Sequence, residues 1–169
     1  FSNFNSQSDE VKIATVRSGG IGGFIPGDLF VGNGVDGEIA RVSADGATVT
    51  NPWVSLPGNG NGLMRGGMYV DRTGVLGGDL IVVTDAGELW RVTAAAAPTR
   101  LAATGVHLEG MIVVPPFPAR FGPLAGTIIA GAEQQGVMYV FAPDGTFTTV
   151  NLGVAIEDID LVTPGENFF

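Results

Sequence analysis

The chain has no cysteine, a single histidine, a single lysine and no long apolar run. Without cysteine, neither a disulfide framework nor a thiolate metal site can form. With His107 as the sole histidine, a histidine-based catalytic triad, a multi-histidine zinc site and a helical HExxH motif are excluded or crippled. Cations are scarce: Lys12 and seven arginines face 17 acids, for a formal net charge of −9. Such a surface repels phosphate backbones and its few basic residues are scattered, so no nucleic-acid partner is expected. No stretch approaches the ~18 apolar residues of a membrane helix, and none is cationic and amphipathic. Helix signals are missing as well. No segment repeats apolar residues at helical spacing between two caps, and the one helix-friendly tetrad, Ala94 to Ala97, stops at Pro98.

Glycine is abundant instead, with 27 residues spaced regularly rather than run together. Apolar residues make up 45% and charged ones 15%, a globular balance whose regular punctuation marks short strands joined by tight turns. At this length the chain fits one domain, residues 1–169, with enough mass for a real core. It opens on Phe1 rather than methionine, so a processed, excised or incomplete polypeptide is expected, with no signal peptide left to read. The acidic, lysine-poor, Gly/Ala/Thr/Val-rich composition points to an exported bacterial protein, extracellular or periplasmic.

Three segments start alike: Gly27-Asp28-Leu29-Phe30-Val31, Gly78-Asp79-Leu80-Ile81-Val82 and Gly126-Thr127-Ile128-Ile129-Ala130. Nine or ten residues later a second segment recurs, as Gly37-Glu38-Ile39-Ala40-Arg41-Val42, Gly87-Glu88-Leu89-Trp90-Arg91-Val92 and Gly136-Val137-Met138-Tyr139-Val140-Phe141. The first anchor has a period of 48 to 51 residues and the second of 49 to 50. Two independent anchors at one period establish a repeat.

Each unit reads as four strands. In the middle unit these are Gly67 to Val70, Asp79 to Val83, Glu88 to Thr93 and about Thr99 to Ala103, with a hairpin at Asp85-Ala86-Gly87. The first unit opens with Val11 to Val16 and closes with Thr48 to Leu56. The third opens with Met111 to Val114, passes a rigid loop at Pro115 to Pro118, and closes with Thr146 to Leu152. Four antiparallel strands per repeat of this length is the signature of a β-propeller blade; a sandwich or β-solenoid is the alternative. The expected fold is all-β: blades at about 10–58, 63–105 and 106–154, with 155–169 starting another at Ile159 to Val162. A core between blades is expected from Phe30, Ile39, Val42, Leu80, Val82, Leu89, Val92, Ile128, Met138 and Val140. A closed ring needs typically 4–8 blades. Completion is therefore expected from further blades of the same polypeptide or from other copies of the chain.

The order of opening strand, Gly-Asp-Leu, Gly-Glu-Leu-Trp-Arg-Val and Asp-Gly resembles the six-bladed propellers of the senescence-marker/gluconolactonase and NHL-like group. The resemblance spans residues ~10–165 and implies the fold. In gluconolactonase-type enzymes a divalent cation sits at the top of the central channel, held by a Glu, an Asn and an Asp at the starts of innermost strands. The matching starts here carry Glu10, Arg65, Glu109 and Glu157-Asp158. The resemblance thus implies a cation such as calcium, which takes 6–8 oxygen ligands, held among Glu109, Glu157 and Asp158 with Glu10 as an outer candidate. Arg65 departs from that pattern, and no Asn stands at any start. The acids equally fit a wet channel lined by Arg65, His107 and Asp160.

The remaining motifs have simpler readings. Gly58-Asn59-Gly60-Asn61-Gly62 and Gly19-Gly20-Ile21-Gly22-Gly23 lack the Lys-Ser/Thr and the following helix of a phosphate loop, and read as connections between strands. Asp36-Gly37, Asp45-Gly46 and Asp144-Gly145 read as hairpin turns rather than calcium loops. Trp53, Trp90 and Tyr139 read as packing between blades, with Trp53 beside Pro52 also a possible carbohydrate platform. Three function classes follow: a non-catalytic extracellular propeller serving as scaffold, binding module or assembly subunit; a metal-dependent hydrolase of the gluconolactonase type; and a lectin-like module.

Overall fold

The computed structural model describes residues 11–17, 21–58, 62 and 65–162. Glu10, Gly19, Gly20, Asn59 to Asn61 and the last seven residues lie outside them. The described residues form three four-stranded antiparallel sheets, each a meander in chain order. The first holds β1 (Ile13–Thr15), β2 (Leu29–Gly32), β3 (Glu38–Val42) and β4 (Val49–Ser55). The second holds β5 (Gly67–Val70), β6 (Leu80–Val83), β7 (Glu88–Val92) and β8 (Pro98–Ala103). The third holds β9 (Glu109–Val113), β10 (Ile128–Ala132), β11 (Val137–Phe141) and β12 (Phe147–Asn151). The opening strands β1, β5 and β9 stand side by side. These are three consecutive propeller blades.

Local chemistry explains the elements. At the expected hairpin, Gly87 has φ +81°, and a Cβ there would meet the Val106 carbonyl oxygen at 2.3 Å, so only glycine fits. The Asp-Gly turns are held by their own side chains: Asp144 accepts from the Thr146 amide at 2.9 Å and its hydroxyl at 2.7 Å. Each of the first two blades is also tied across its middle. The Arg41 Nε donates to the buried Asp28 carboxylate at 2.6 Å, and Arg91 pairs with Asp79 at the same repeat positions. Blade three has Thr127 and Val140 there instead. The Ala94 to Ala97 tetrad is a turn, with Ala96 at φ +58°.

Strand alternation gives every blade two apolar faces, and the repeat assigns each a direction. Phe30 and Ile39 of blade one face Leu80, Val82, Trp90 and Val92 of blade two. Ile81 and Leu89 of blade two face Ile128, Ala130 and Phe141 of blade three. The matching positions in blade three, Ile129 and Met138, face onward. They are met by Ile159 and Leu161, and by Phe121 and Leu124 from the connection between β9 and β10.

Eight of the ten expected core residues are buried. Met138 and Val140 are only partly so, because no blade lies on that face among the described residues. Ile159 to Val162 occupies the place of a next opening strand, without a ladder partner there. The expected loop holds over Pro115 to Phe117, while Pro118 begins a one-turn helix, α1 (Pro118–Phe121), followed by a 3-10 turn, Gly122–Leu124. Proline is tolerated there because its missing N–H would have no helical partner anyway.

Candidate functional site

The side-by-side opening strands border two cavities, one at their start and one farther along, and the two differ chemically. At their start lies a cavity of about 440 Å³ bounded by Lys12, Arg65, Asp85, His107, Glu109, Glu133, Gln134, Glu157 and Asp158. It gathers five of the seven residues singled out from the sequence. Glu10 lies outside the described residues, and Asp160 lines a different cavity, farther along the strands.

Glu109 faces both Lys12 and His107 at this mouth. It begins β9, and its side chain is 15% exposed. Lys12, just before β1, places its Nζ 3.3 Å from Oε1. His107 Nε2 stands 3.7 Å from Oε2. One carboxylate is thus shared by a cation from blade one and the ring of the residue two before it. The backbone brings these starts together closely: the Gly110 amide donates to the Gly66 carbonyl at 2.9 Å. A Cβ on Gly110 would meet the Glu157 carbonyl oxygen at 2.6 Å, which is how Glu157 and Asp158 come to the same mouth.

The described donors do not by themselves assemble a divalent-cation site, and Glu10, the outer candidate, lies outside them. Among the described residues no three Asp, Glu or His side chains converge closely enough to hold one, and Glu109 already pairs with Lys12. What the mouth offers is five carboxylates against two fixed cations around an open, polar space. Lys12, Asp85 and Glu133 were not singled out from the sequence. Asp85 and Glu133 lie in the hairpins β6–β7 and β10–β11, so aligning the repeats would have brought both to this end.

The aromatic candidates pack against neighbouring side chains, and Trp53 also borders a small cavity with Phe24 and Arg41. Trp90 is 3% exposed, and its Nε1 donates to Glu88 at 2.9 Å. Trp53 is partly buried and packs 4.6 Å from Phe30 and 6.1 Å from Phe24, ring centre to ring centre. Tyr139 lies against Phe141 and Phe147 at 5.9 and 5.4 Å.

No protein-family model and no curated protein matches the chain. Solved structures do. A catalytically inactive variant of virginiamycin B lyase from Staphylococcus aureus with quinupristin matches over 88% of this chain and 44% of its own, at 15% identity and a TM-score of 0.59. A streptogramin B lyase matches over 88% and 43%, at 13% identity and a TM-score of 0.58. The dihydro-heme d1 dehydrogenase NirN matches over 83% and 28%, at 19% identity and a TM-score of 0.56. The fold is a β-propeller. The chain spans less than half the length of each of these structures.

Proposed function

We propose that the chain is a segment of a larger, non-catalytic propeller, acting in assembly as a scaffold whose end blades receive further blades. The observation that carries this reading is one repeat position seen three times. Ile39 and Leu89 are fully buried between blades, whereas Met138, their equivalent in blade three, is only partly covered. Next to Met138, Val150 of β12 is 42% exposed, and Leu152 just beyond is 48% exposed. On the opposite side of the array, Ile13 of blade one is 61% exposed. Apolar area left in water forfeits about 25 cal/mol per Å², so the open face of blade three favours covering blades, while on blade one Ile13 stays open beside the buried Val31, Ala40 and Val42 of the same face. Those blades come from the same polypeptide or from other copies of the chain, two of which would close about a twofold axis. The matched structures, each about twice this length or longer, support a ring larger than three blades. An extracellular or periplasmic setting, suggested by composition, suits such a scaffold.

Sedimentation of the 169-residue chain tests the reading. Association that grows with concentration is expected; a compact monomer at every concentration, unfolding cooperatively, would refute it. A gluconolactonase-type hydrolase is the second reading, favoured by Glu109, Glu157 and Asp158 opening on one cavity. It calls for a melting temperature that rises with calcium and falls back after chelation.

A further inference from the structure

Farther along the opening strands the chemistry is the opposite. Arg17 follows β1 and Arg72 follows β5, and both border a cavity of about 340 Å³ with Tyr69, Met111, Asp160 and Leu161. Among the described residues Arg17 and Arg72 have no ion pair, whereas Arg41, Arg91 and Arg100 each hold a carboxylate. The Arg72 guanidinium instead lies over the Tyr69 ring, 5.2 Å from its centre. In a chain of net charge −9, two exposed guanidinium groups thus border one cavity without a carboxylate partner among the described residues. Two acids lie near and neither answers them. Asp160 accepts the Leu161 amide at 2.7 Å. Asp71, 1% exposed, is turned into its own loop, where Thr73, Leu76 and Gly78 donate to it. The lining is largely polar, and the apolar side chains it leaves partly open are Ile159 and Leu161, since Met111 and Ile112 are buried between blades.

We propose that this cavity binds a small carboxylate carrying an apolar body. The carboxylate sits between Arg17, Arg72 and the Tyr69 hydroxyl, and the apolar part lies against Ile159 and Leu161. A guanidinium fork matches a carboxylate in geometry and charge, and the volume is that of a small-molecule pocket. Burial pushes the Tyr69 phenol up, against the pull of Arg72, so at neutral pH it is a hydroxyl able to donate. A small, strongly hydrated anion would gain nothing from the apolar side chains. The site does not depend on the assembly reading, since strands from all three blades already build it.

Isothermal titration calorimetry of the 169-residue chain with sodium benzoate, benzyl alcohol and inorganic phosphate at low ionic strength tests the proposal. Benzoate is expected to bind at least tenfold more tightly than benzyl alcohol. Arg17→Met and Arg72→Met should each weaken benzoate about tenfold, the worth of one hydrogen bond to a charged group. Asp160→Asn should tighten benzoate severalfold, a gain that a misfolded variant cannot produce. Equal binding of benzoate and benzyl alcohol would overturn the proposal, as would wild-type affinity in both arginine variants. So would binding of phosphate without benzoate, which would mark a site for hydrated anions only.

Discussion

Leu89→Ala and Met138→Ala change the same repeat position in two blades, and the structure predicts very different costs. Leu89 is fully buried between blades two and three. Removing three carbons there forfeits about 2.4 kcal/mol of transfer free energy, at about 0.8 per buried CH₂. A residual void of ~40 Å³ adds about 1 kcal/mol, at ~24 cal/mol per Å³. The expected cost is therefore about 3 kcal/mol. Met138 is partly exposed on the outward face of blade three, where neighbours can close in and water already has access. Its truncation should cost less than about 1 kcal/mol in dilute protein. Urea unfolding followed by Trp90 fluorescence measures both, and the slope of free energy against urea should be unchanged. A loss below about 0.5 kcal/mol at Leu89 would show that the wrong face has been placed inside. Equal losses at the two positions in dilute protein would show that blade three has no open face.

Arg91→Met should destabilise by about 2 kcal/mol, less than a fully buried pair, because it leaves the buried Asp79 unpartnered while Arg91 itself is 41% exposed; thermal unfolding reads the loss. Gly145→Ala should cost more than about 1 kcal/mol, since φ is +88° and the new Cβ would meet the Leu101 carbonyl oxygen at 2.1 Å; a neutral result would refute the close approach. The Thr146 hydroxyl, and then its amide, hold Asp144 below the usual carboxylate range. The resulting stability is present above the ordinary carboxylate pKa and is lost as pH falls through the lowered one. Thr146→Val should move that titration upward, as NMR would record. Adding millimolar calcium, or a chelator, should leave the melting temperature of the wild-type chain unchanged.

Blade architecture was legible because a turn glycine and a strand anchor recur together. Gly27, Gly78 and Gly126 mark second strands, Gly37, Gly87 and Gly136 mark third strands, and all six do so in the structure. The role of Asp28 and Asp79 was not legible as chemistry: each reads as part of a motif, and only three dimensions put Arg41 and Arg91 against them. The misjudged burial of Met138 and Val140 has a similar cause. Periodicity tells which side chains share a face but not whether anything covers it. At the channel mouth, strand starts were enough to find Glu109, Glu157 and Asp158. Lys12 escaped notice because a lone lysine before a short strand carries no pattern of its own. Asp160 was read as lining the channel with Arg65 and His107, and since an extended chain rises about 3.3 Å per residue, it borders the cavity at the other end rather than the one holding Asp158.

The glycines at the channel mouth have a consequence for the size of the ring. At Gly66 a Cβ would meet the carbonyl oxygens of Leu108 and Val83, both at 2.4 Å, and at Gly131 it would meet Ile156 at 2.6 Å. Successive units therefore touch backbone to backbone near the axis, while farther out Leu89, Trp90 and Phe141 hold them apart. Thin inside and thick outside, each unit is a wedge, and the taper of the wedge sets how many complete a circle. A methyl group added at the thin edge would blunt the taper, so that more units would be needed to come round. The circumference of the ring is in this sense written at a few positions that carry no side chain.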